Sequence, residues 1–322
     1  ALTQRVALWD VGCQRQVQVQ GPDALKLCRY LSARDLSQLK IGVAKYAPLC
    51  DYQGRLINDP VALRLDENTI WFSIADSDVL LWVRAISGER GDNVEIIEPD
   101  VSPLAVQGPR ATDTVAEVFG EWVRELKFFH FKRINHEGIP LVVCRSGWSK
   151  QGGFELFLED ENKGEQLWDM IWSAGESHGI RVGAPNYAER IENFLLSWGS
   201  DTDSDSDPFE AAIGNYVDLG VEHDFIGKKA LLAKREQGAT RELKGLIIDG
   251  EPLDPNPEPV RLQNPNGTHA GQTRVVAHSP RYKQNLGLAI IEVPHNLPDT
   301  KLQVETADGW RPATVTDLPF DL

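Results

Sequence analysis

Cysteine is scarce and scattered in this chain: Cys13, Cys28, Cys50 and Cys144 are the four in 322 residues, with no C-x-x-C pair among them. That spacing suggests neither a zinc ribbon nor a disulfide framework, so a reducing cytoplasm is the expected compartment. The seven histidines lack HxxH or HxxxH spacing, and no metal is expected. A dinucleotide GxGxxG fingerprint and a G-x-S-x-G nucleophile elbow are also missing, which removes the standard dehydrogenase and hydrolase readings. Gly227-Lys228-Lys229 looks like the end of a P-loop, but no glycine stands at the required spacing and no Ser or Thr follows the lysine. Asp201, Asp203, Asp205 and Asp207 alternate as the first ligands of a calcium loop would, yet Ser206 and Ala212 occupy the positions where an EF-hand needs Gly and Glu. A solvated acidic loop is the reading that remains. No apolar run approaches the roughly 18 residues of a spanning helix, and no charged-then-apolar leader opens the chain. Because the first residue is Ala1, a removed upstream segment stays open. Positive charge is in short supply as well: 33 basic against 48 acidic residues give a net charge of −15. That balance argues against a nucleic acid or an anionic membrane as partner.

What is present suits a soluble globular chain of two or three domains, with 41% hydrophobic and 25% charged residues. Asp23 is placed to cap a helix whose Ala24, Leu27, Cys28 and Leu31 form one apolar stripe. Strands over 43–49, 56–65 and 69–75 are separated by turn signals and predict an antiparallel sheet. A second helix opens at Asp78 with Val79, Trp82, Val83 and Ile86 on one face, and a strand over 94–97 returns. The first domain therefore spans 1–100. The second, 101–239, begins with a strand over 104–106 and a helix from Pro109. It continues with strands over 141–144 and 154–158, a helix through Leu167, Met170, Ile171 and Ala174, and another with Ile191, Phe194, Leu195 and Trp198 on one face. Prolines 252, 255, 257 and 259 make a stiff loop, after which short strands predict a small β-barrel over 240–322.

The most informative stretch is Ser146-Gly147-Trp148-Ser149-Lys150-Gln151-Gly152-Gly153-Phe154-Glu155-Leu156-Phe157. Phe154, Leu156 and Leu158 alternate with Glu155, Phe157 and Glu159, the period of a half-buried strand. Glu155 and Phe157 then share a face. A carboxylate accepts two parallel hydrogen bonds from a ring with adjacent N–H and amino donors, and a neighbouring aromatic covers the ring's apolar area. The same alternation also fits an ordinary sheet with a charged outer face. Asn58-Asp59-Pro60 puts an acid inside an apolar strand just before a residue that cannot donate a ladder bond, which suggests either a cleft or a turn-stabilising aspartate.

Taken in order, DALKLCRYLSARDLSQLK, KYAPLCDYQGRLINDP, SPLAVQGPRA, SGWSKQGGFELF, AERIENFLLSWGSD with DPFEAAI, and DFIGKKAL resemble the folate-dependent family of the glycine-cleavage T-protein across nearly the whole chain. The resemblance implies an α+β, three-lobed architecture with antiparallel sheets flanked by helices and a C-terminal β-barrel. It implies an enzyme that moves a one-carbon unit to or from tetrahydrofolate. Within the family, the wording VSPLAVQGP, RELKFFHFK and RSGWSKQGGFE is nearest to members that take a methyl group from the sulfonium dimethylsulfoniopropionate. By that resemblance Asp59 falls on the aspartate beside the reactive folate nitrogens and Glu155 on the glutamate at the pterin edge. Tyr46, Ser73, Phe157 and Arg190 fall among the cofactor-binding positions. Trp148 replaces a usual tyrosine and would help enclose both cofactor and sulfonium, with a buried second-domain tryptophan as the other reading. The implied partners are a small sulfonium and folate, without nucleic acid or membrane; a homodimer stays open. The family pattern continues ahead of the point matching Ala1 with segments that shape the substrate pocket, so either this is a piece of a longer chain or its pocket differs. Phe157 stands where close demethylating relatives are expected to have tyrosine. Rival readings are an aminomethyltransferase, an aryl O-demethylase and a folate-binding regulatory protein. The iron–sulfur assembly branch is weak, since its KGCYxGQE motif is replaced here by DFIGKKAL.

Overall fold

A computed structural model describes residues 1–75 and 77–321. Its contacts divide the chain into two units, 1–49 with 58–185 and 50–57 with 186–322. The first unit holds two sheets. One has six strands in the order Phe131–His136, Ile139–Cys144, Gly153–Leu158, Ser102–Gln107, Ala7–Asp10 and Arg181–Val182. The other has five: Ala44–Tyr46, Val61–Arg64, Thr69–Ser73, Gln16–Gln20 and Glu95–Ile97.

The expected boundary at 100/101 does not separate these sheets. Ala7, Leu8 and Trp9 are all buried, as a strand covered on both faces must be. That strand lies against Ser102–Gln107 rather than in the sheet of its neighbours in sequence. The strand Gly153–Leu158 is likewise covered on both sides, not half-buried as its alternation predicts. Phe154, Leu156 and Leu158 join Leu104, Val106, Leu141 and Val143 against helices α3 (Ala111–Phe119) and α4 (Gly164–Gly175), which follow α1 (Ala24–Leu31) and α2 (Val79–Arg90) in the chain. On the opposite face Phe157, Val142, Cys144 and Phe131 pack against Ala44, Leu63, Leu65 and Trp71 of the five-stranded sheet. Each such fully buried side chain contributes roughly 1.5–3 kcal/mol of transfer free energy, so this double layer fixes the strand firmly.

The apolar stripe of α1 is buried at Ala24, Leu27, Cys28 and Leu31 as the spacing predicts. Asp23 does not cap it, because its backbone (φ −95°, ψ 6°) is not extended. Its carboxylate accepts instead from the Asn93 amide at 2.9 Å. In α2, Val79, Val83 and Ile86 are buried while Trp82 is only partly so, and Gly91 ends the helix in the left-handed region at φ 68°.

The second unit is built on a closed barrel of strands ordered Arg241–Ile248, Gln284–Glu292, His269–Ser279, Arg261–Gln263, Lys301–Thr306 and Gly309–Thr316. Leu246, Leu262, Ile291, Val304 and Val315 are among its core residues. The helix expected to carry Ile191, Phe194, Leu195 and Trp198 is shorter than the stripe suggests: α5 covers Tyr187–Glu192, and Phe194 turns left-handed at φ 46°. Ile191 and Phe194 still reach the apolar cluster of Leu243, Val275, Leu288 and Phe320. A last helix, α6, runs Lys228–Gln237.

The acidic run is not a solvated loop. Asp201 is fully buried and paired with Arg190. Asp203 binds Arg241 and Arg274, each at 2.8 Å. Asp207 holds Lys234 at 2.9 Å and accepts from the amides of Phe209 and Glu210 at 2.8 and 3.0 Å. Asp205, the exposed member, meets Arg55 at 3.2 Å. Burial acts to raise the Asp203 pKa, but the hydrogen bonds and charge of Arg241 outweigh it and hold the carboxyl well below its ordinary value.

Candidate functional site

Residues two apart on a strand share a face. Ala44, Leu63 and Trp71 face the six-stranded sheet, so Tyr46, Val61 and Ser73 lie on that same inner face, set side by side by the pairings Tyr46↔Val61 and Val61↔Ser73. Across from them Phe157 faces inward, with its ring centroid 6.2 Å from that of Trp71, and Glu155 shares its face. The two packed sheets therefore carry Tyr46 and Ser73 on one inner face and Glu155 on the other.

Asp59 sits between the strands Leu56–Asn58 and Val61–Arg64, partly exposed, and the Tyr46 hydroxyl donates to its Oδ2 at 2.7 Å. Pro60 follows without an N–H, which leaves this corner of the ladder open on the donor side. Ser73, at the end of its strand, accepts from the Gln16 side chain at 3.3 Å. The neighbour of Asp59, Asn58, is buried; its amide nitrogen donates to the Ala75 carbonyl at 3.2 Å and to the Ser77 hydroxyl at 2.8 Å. Its carbonyl Oδ1 finds no donor among the described residues. Such an orphaned acceptor costs roughly 1–3 kcal/mol unless a ligand or water satisfies it.

Glu155 lies opposite Cys144 and Ala105 in the sheet. Burial raises its pKa, opposed by the Ser146 hydroxyl that donates to Oε2. No cation is paired with it among the described residues. The loop leading into its strand carries Trp148, half-buried, and Lys150, whose backbone is left-handed at φ 53° and whose ammonium is desolvated enough to lower its pKa. Gly153 is required where the loop meets the strand: at φ 147° a Cβ would stand 2.3 Å from the Val106 carbonyl oxygen.

Phe157 shares the Glu155 face but is 2% exposed, enclosed by Trp71 and its neighbours, so it backs the strand rather than offering a free ring. Arg190 belongs to the other unit, where it is 3% exposed, paired with Asp201, and donates to the Leu195 carbonyl. Thus Tyr46, Asp59, Ser73, Glu155, Phe157 and the Trp148 loop belong to one unit, and Arg190 to the other. Sequence reasoning passed over Ser146, Asn58 and Gln107. All three lay inside quoted wording, Ser146 in RSGWSKQGGFE, Asn58 in KYAPLCDYQGRLINDP and Gln107 in VSPLAVQGP, but nothing local marked what their side chains do.

Chemically these side chains are rich in acceptors: the carboxylates of Asp59 and Glu155 and the Ser73 hydroxyl. A flat ring with adjacent N–H and amino donors complements that set, and a reduced pterin is such a ring. It would exchange the desolvation cost at Glu155 for charge-assisted hydrogen bonds.

Sequence and structure are similar to those of known proteins. The sequence model of the GCVT N-terminal domain matches residues 1–220, and that of the glycine cleavage T-protein C-terminal barrel domain matches 241–321. A dimethylsulfoniopropionate demethylase, DmdA of Ruegeria pomeroyi, is 43% identical over 316 residues, 98% of this chain and 86% of its own length. An aminomethyltransferase of Bacillus cereus is 30% identical over 328 residues, 99% of this chain and 88% of its own. Among solved structures, the glycine cleavage system aminomethyltransferase T from Bartonella henselae superposes with a TM-score of 0.90 at 22% identity, covering 99% of this chain and 87% of that one.

Proposed function

The chain belongs to the glycine cleavage T-protein family, and from that premise we propose that it is a tetrahydrofolate-dependent methyltransferase that demethylates dimethylsulfoniopropionate to methylmercaptopropionate. The observation that carries the reading is the 43% identity to a demethylase over 98% of the chain, against 30% to aminomethyltransferases over a similar span. The acceptor-rich face supports the cofactor. Tetrahydrofolate, when bound, would supply the nucleophilic N5 that accepts the methyl group, the carbon–sulfur electron pair leaving with a neutral thioether.

The protein's own work is then alignment, exclusion of water and charge management. Glu155 grips the donor edge of the ring through the oxygen that Ser146 does not occupy. Asp59, held by Tyr46, orients the ring and stabilises the positive charge that develops at the methyl-accepting nitrogen, then takes part in passing its proton to solvent. Trp148 covers the sulfonium; a desolvated cation over an indole gains roughly 0.5–2 kcal/mol. Lys150, two residues on, is the cation we assign to the substrate's carboxylate. The cytoplasm is the proposed compartment, which four free thiols support.

The test is incubation with reduced folate and separate sulfonium, amine and aryl methyl ether donors. Formation of methyl-tetrahydrofolate with the sulfonium alone is the expected outcome. Turnover with an amine alone would transfer the assignment to the aminomethyltransferase reading, which the 30% relatives favour next.

A further inference from the structure

Gln107 closes the strand Ser102–Gln107, opposite Gly153 on one side and Ala7 on the other, and is 1% exposed. Its amide occupies the hollow of the loop 146–153. Nε2 donates to the Ser146 carbonyl at 3.1 Å and to the Phe154 carbonyl at 3.2 Å, while Oε1 accepts from the Ser149 hydroxyl at 2.7 Å. Ser149 Oγ in turn accepts from the Gln151 amide at 3.1 Å, and the Gly152 carbonyl accepts from the Gly108 amide at 2.8 Å. The loop closes so tightly on this side chain that a Cβ on Gly147 would stand 2.1 Å from it, and one on Gly153 2.7 Å. Both glycines are therefore the space that the glutamine needs.

We infer that Gln107 is a positioning residue that sets two functional side chains at once: Trp148, through the Ser146 and Ser149 bonds on either side of it, and Glu155, through the serine whose hydroxyl holds its carboxylate. One amide thereby couples the placement of the sulfonium's cover to that of the pterin's acid. An amide is the group the position demands, since it must donate to two carbonyls and accept from a hydroxyl; a carboxylate cannot donate and an alkyl chain can do neither. Gln107 touches neither ligand on this account and acts only through the loop. The inference rests on the proposed folate and sulfonium site for its kinetic consequences, but its structural part stands without a ligand.

The experiment compares the full chain with Gln107→Met, which keeps length and bulk, and with Leu167→Ala, a core cavity on α4 that removes no hydrogen bond of the loop. Amide hydrogen exchange over residues 146–153, measured without ligand, should quicken about tenfold in Gln107→Met and stay unchanged in Leu167→Ala, the size expected for losing a buried hydrogen-bonding partner. With ligands, the Kd for tetrahydrofolate and the KM for the sulfonium should rise together by about tenfold in Gln107→Met, with kcat changing less, while Leu167→Ala lowers Tm and leaves both constants within twofold. Adding Ser149→Ala to Gln107→Met should add nothing further, because the two side chains act as one clamp. Unchanged exchange in Gln107→Met, or an equal rise in both constants for Leu167→Ala, would overturn the inference. If the parent protein fails to turn over any sulfonium, the functional reading falls, and the exchange measurement still decides the clamp.

Discussion

Two regions of this protein hold buried or partly buried acids, and they differ in the counter-charge they supply. In the barrel unit each of Asp201, Asp203 and Asp207 is matched by a cation: the hydrogen bonds and charge of Arg241 hold Asp203 low, whereas burial raises the Asp201 pKa even with Arg190 beside it. In the sheet unit Glu155 has a serine hydroxyl and, among the described residues, no cation, and burial pushes its pKa up. Acids of the first kind are neutralised by the protein itself and serve its architecture. An acid of the second kind is left for something else to neutralise, which is what a binding residue for a donor-rich ring requires.

Breaking the first kind should give the largest effect. Asp201→Asn strands the Arg190 guanidinium in a site 3% exposed, and the expected loss is about 3–5 kcal/mol, read as a drop in denaturation midpoint. Glu155→Gln should leave the folded state as stable or more so near neutral pH, since it removes an uncompensated charge, yet weaken tetrahydrofolate binding by roughly 2–3 kcal/mol in titration calorimetry.

The pH dependence sharpens the contrast through its sign. Glu155 has a folded pKa above its ordinary 4.5, so its contribution is fully present below 4.5 and is lost as pH rises through the raised value. Asp203 has a folded pKa below 3.8; its contribution is present above 3.8 and is lost as pH falls through the lowered value. Stability measured against pH should therefore lose its falling limb above 4.5 in Glu155→Gln and its acid limb in Asp203→Asn. The smallest effect is expected from Tyr46→Phe, which removes one hydrogen bond to Asp59 and should lower kcat/KM by about 1 kcal/mol with little change in Tm.

Much of this was legible in the sequence, and the part that was not has a common cause. Parity alone assigned Phe154, Leu156 and Leu158 to one face and Glu155 and Phe157 to the other, because a strand has no freedom in that respect. The α1 stripe was equally plain. What escaped was pairing across the chain. Asp203 meets Arg241 and Arg274, 38 and 71 residues away, so four alternating aspartates read as solvated when their partners are out of view. Gln107 reaches the Ser146 carbonyl 39 residues on, and no local pattern marks an amide for that use. The early end of α5 is a backbone choice at Phe194, where the apolar spacing continues although the helix does not. For Phe157 periodicity gave the face but not what covers it, which is Trp71 and its neighbours.

The central claim, that Glu155 is an acid kept for a ligand, is most directly tested by proton release on tetrahydrofolate binding, measured calorimetrically in buffers of different ionisation enthalpy. At a pH below the raised Glu155 value, the parent protein should release a proton that Glu155→Gln does not, because the ring stabilises the ionised acid. Equal proton release by the two proteins, or equal affinity, would contradict the account.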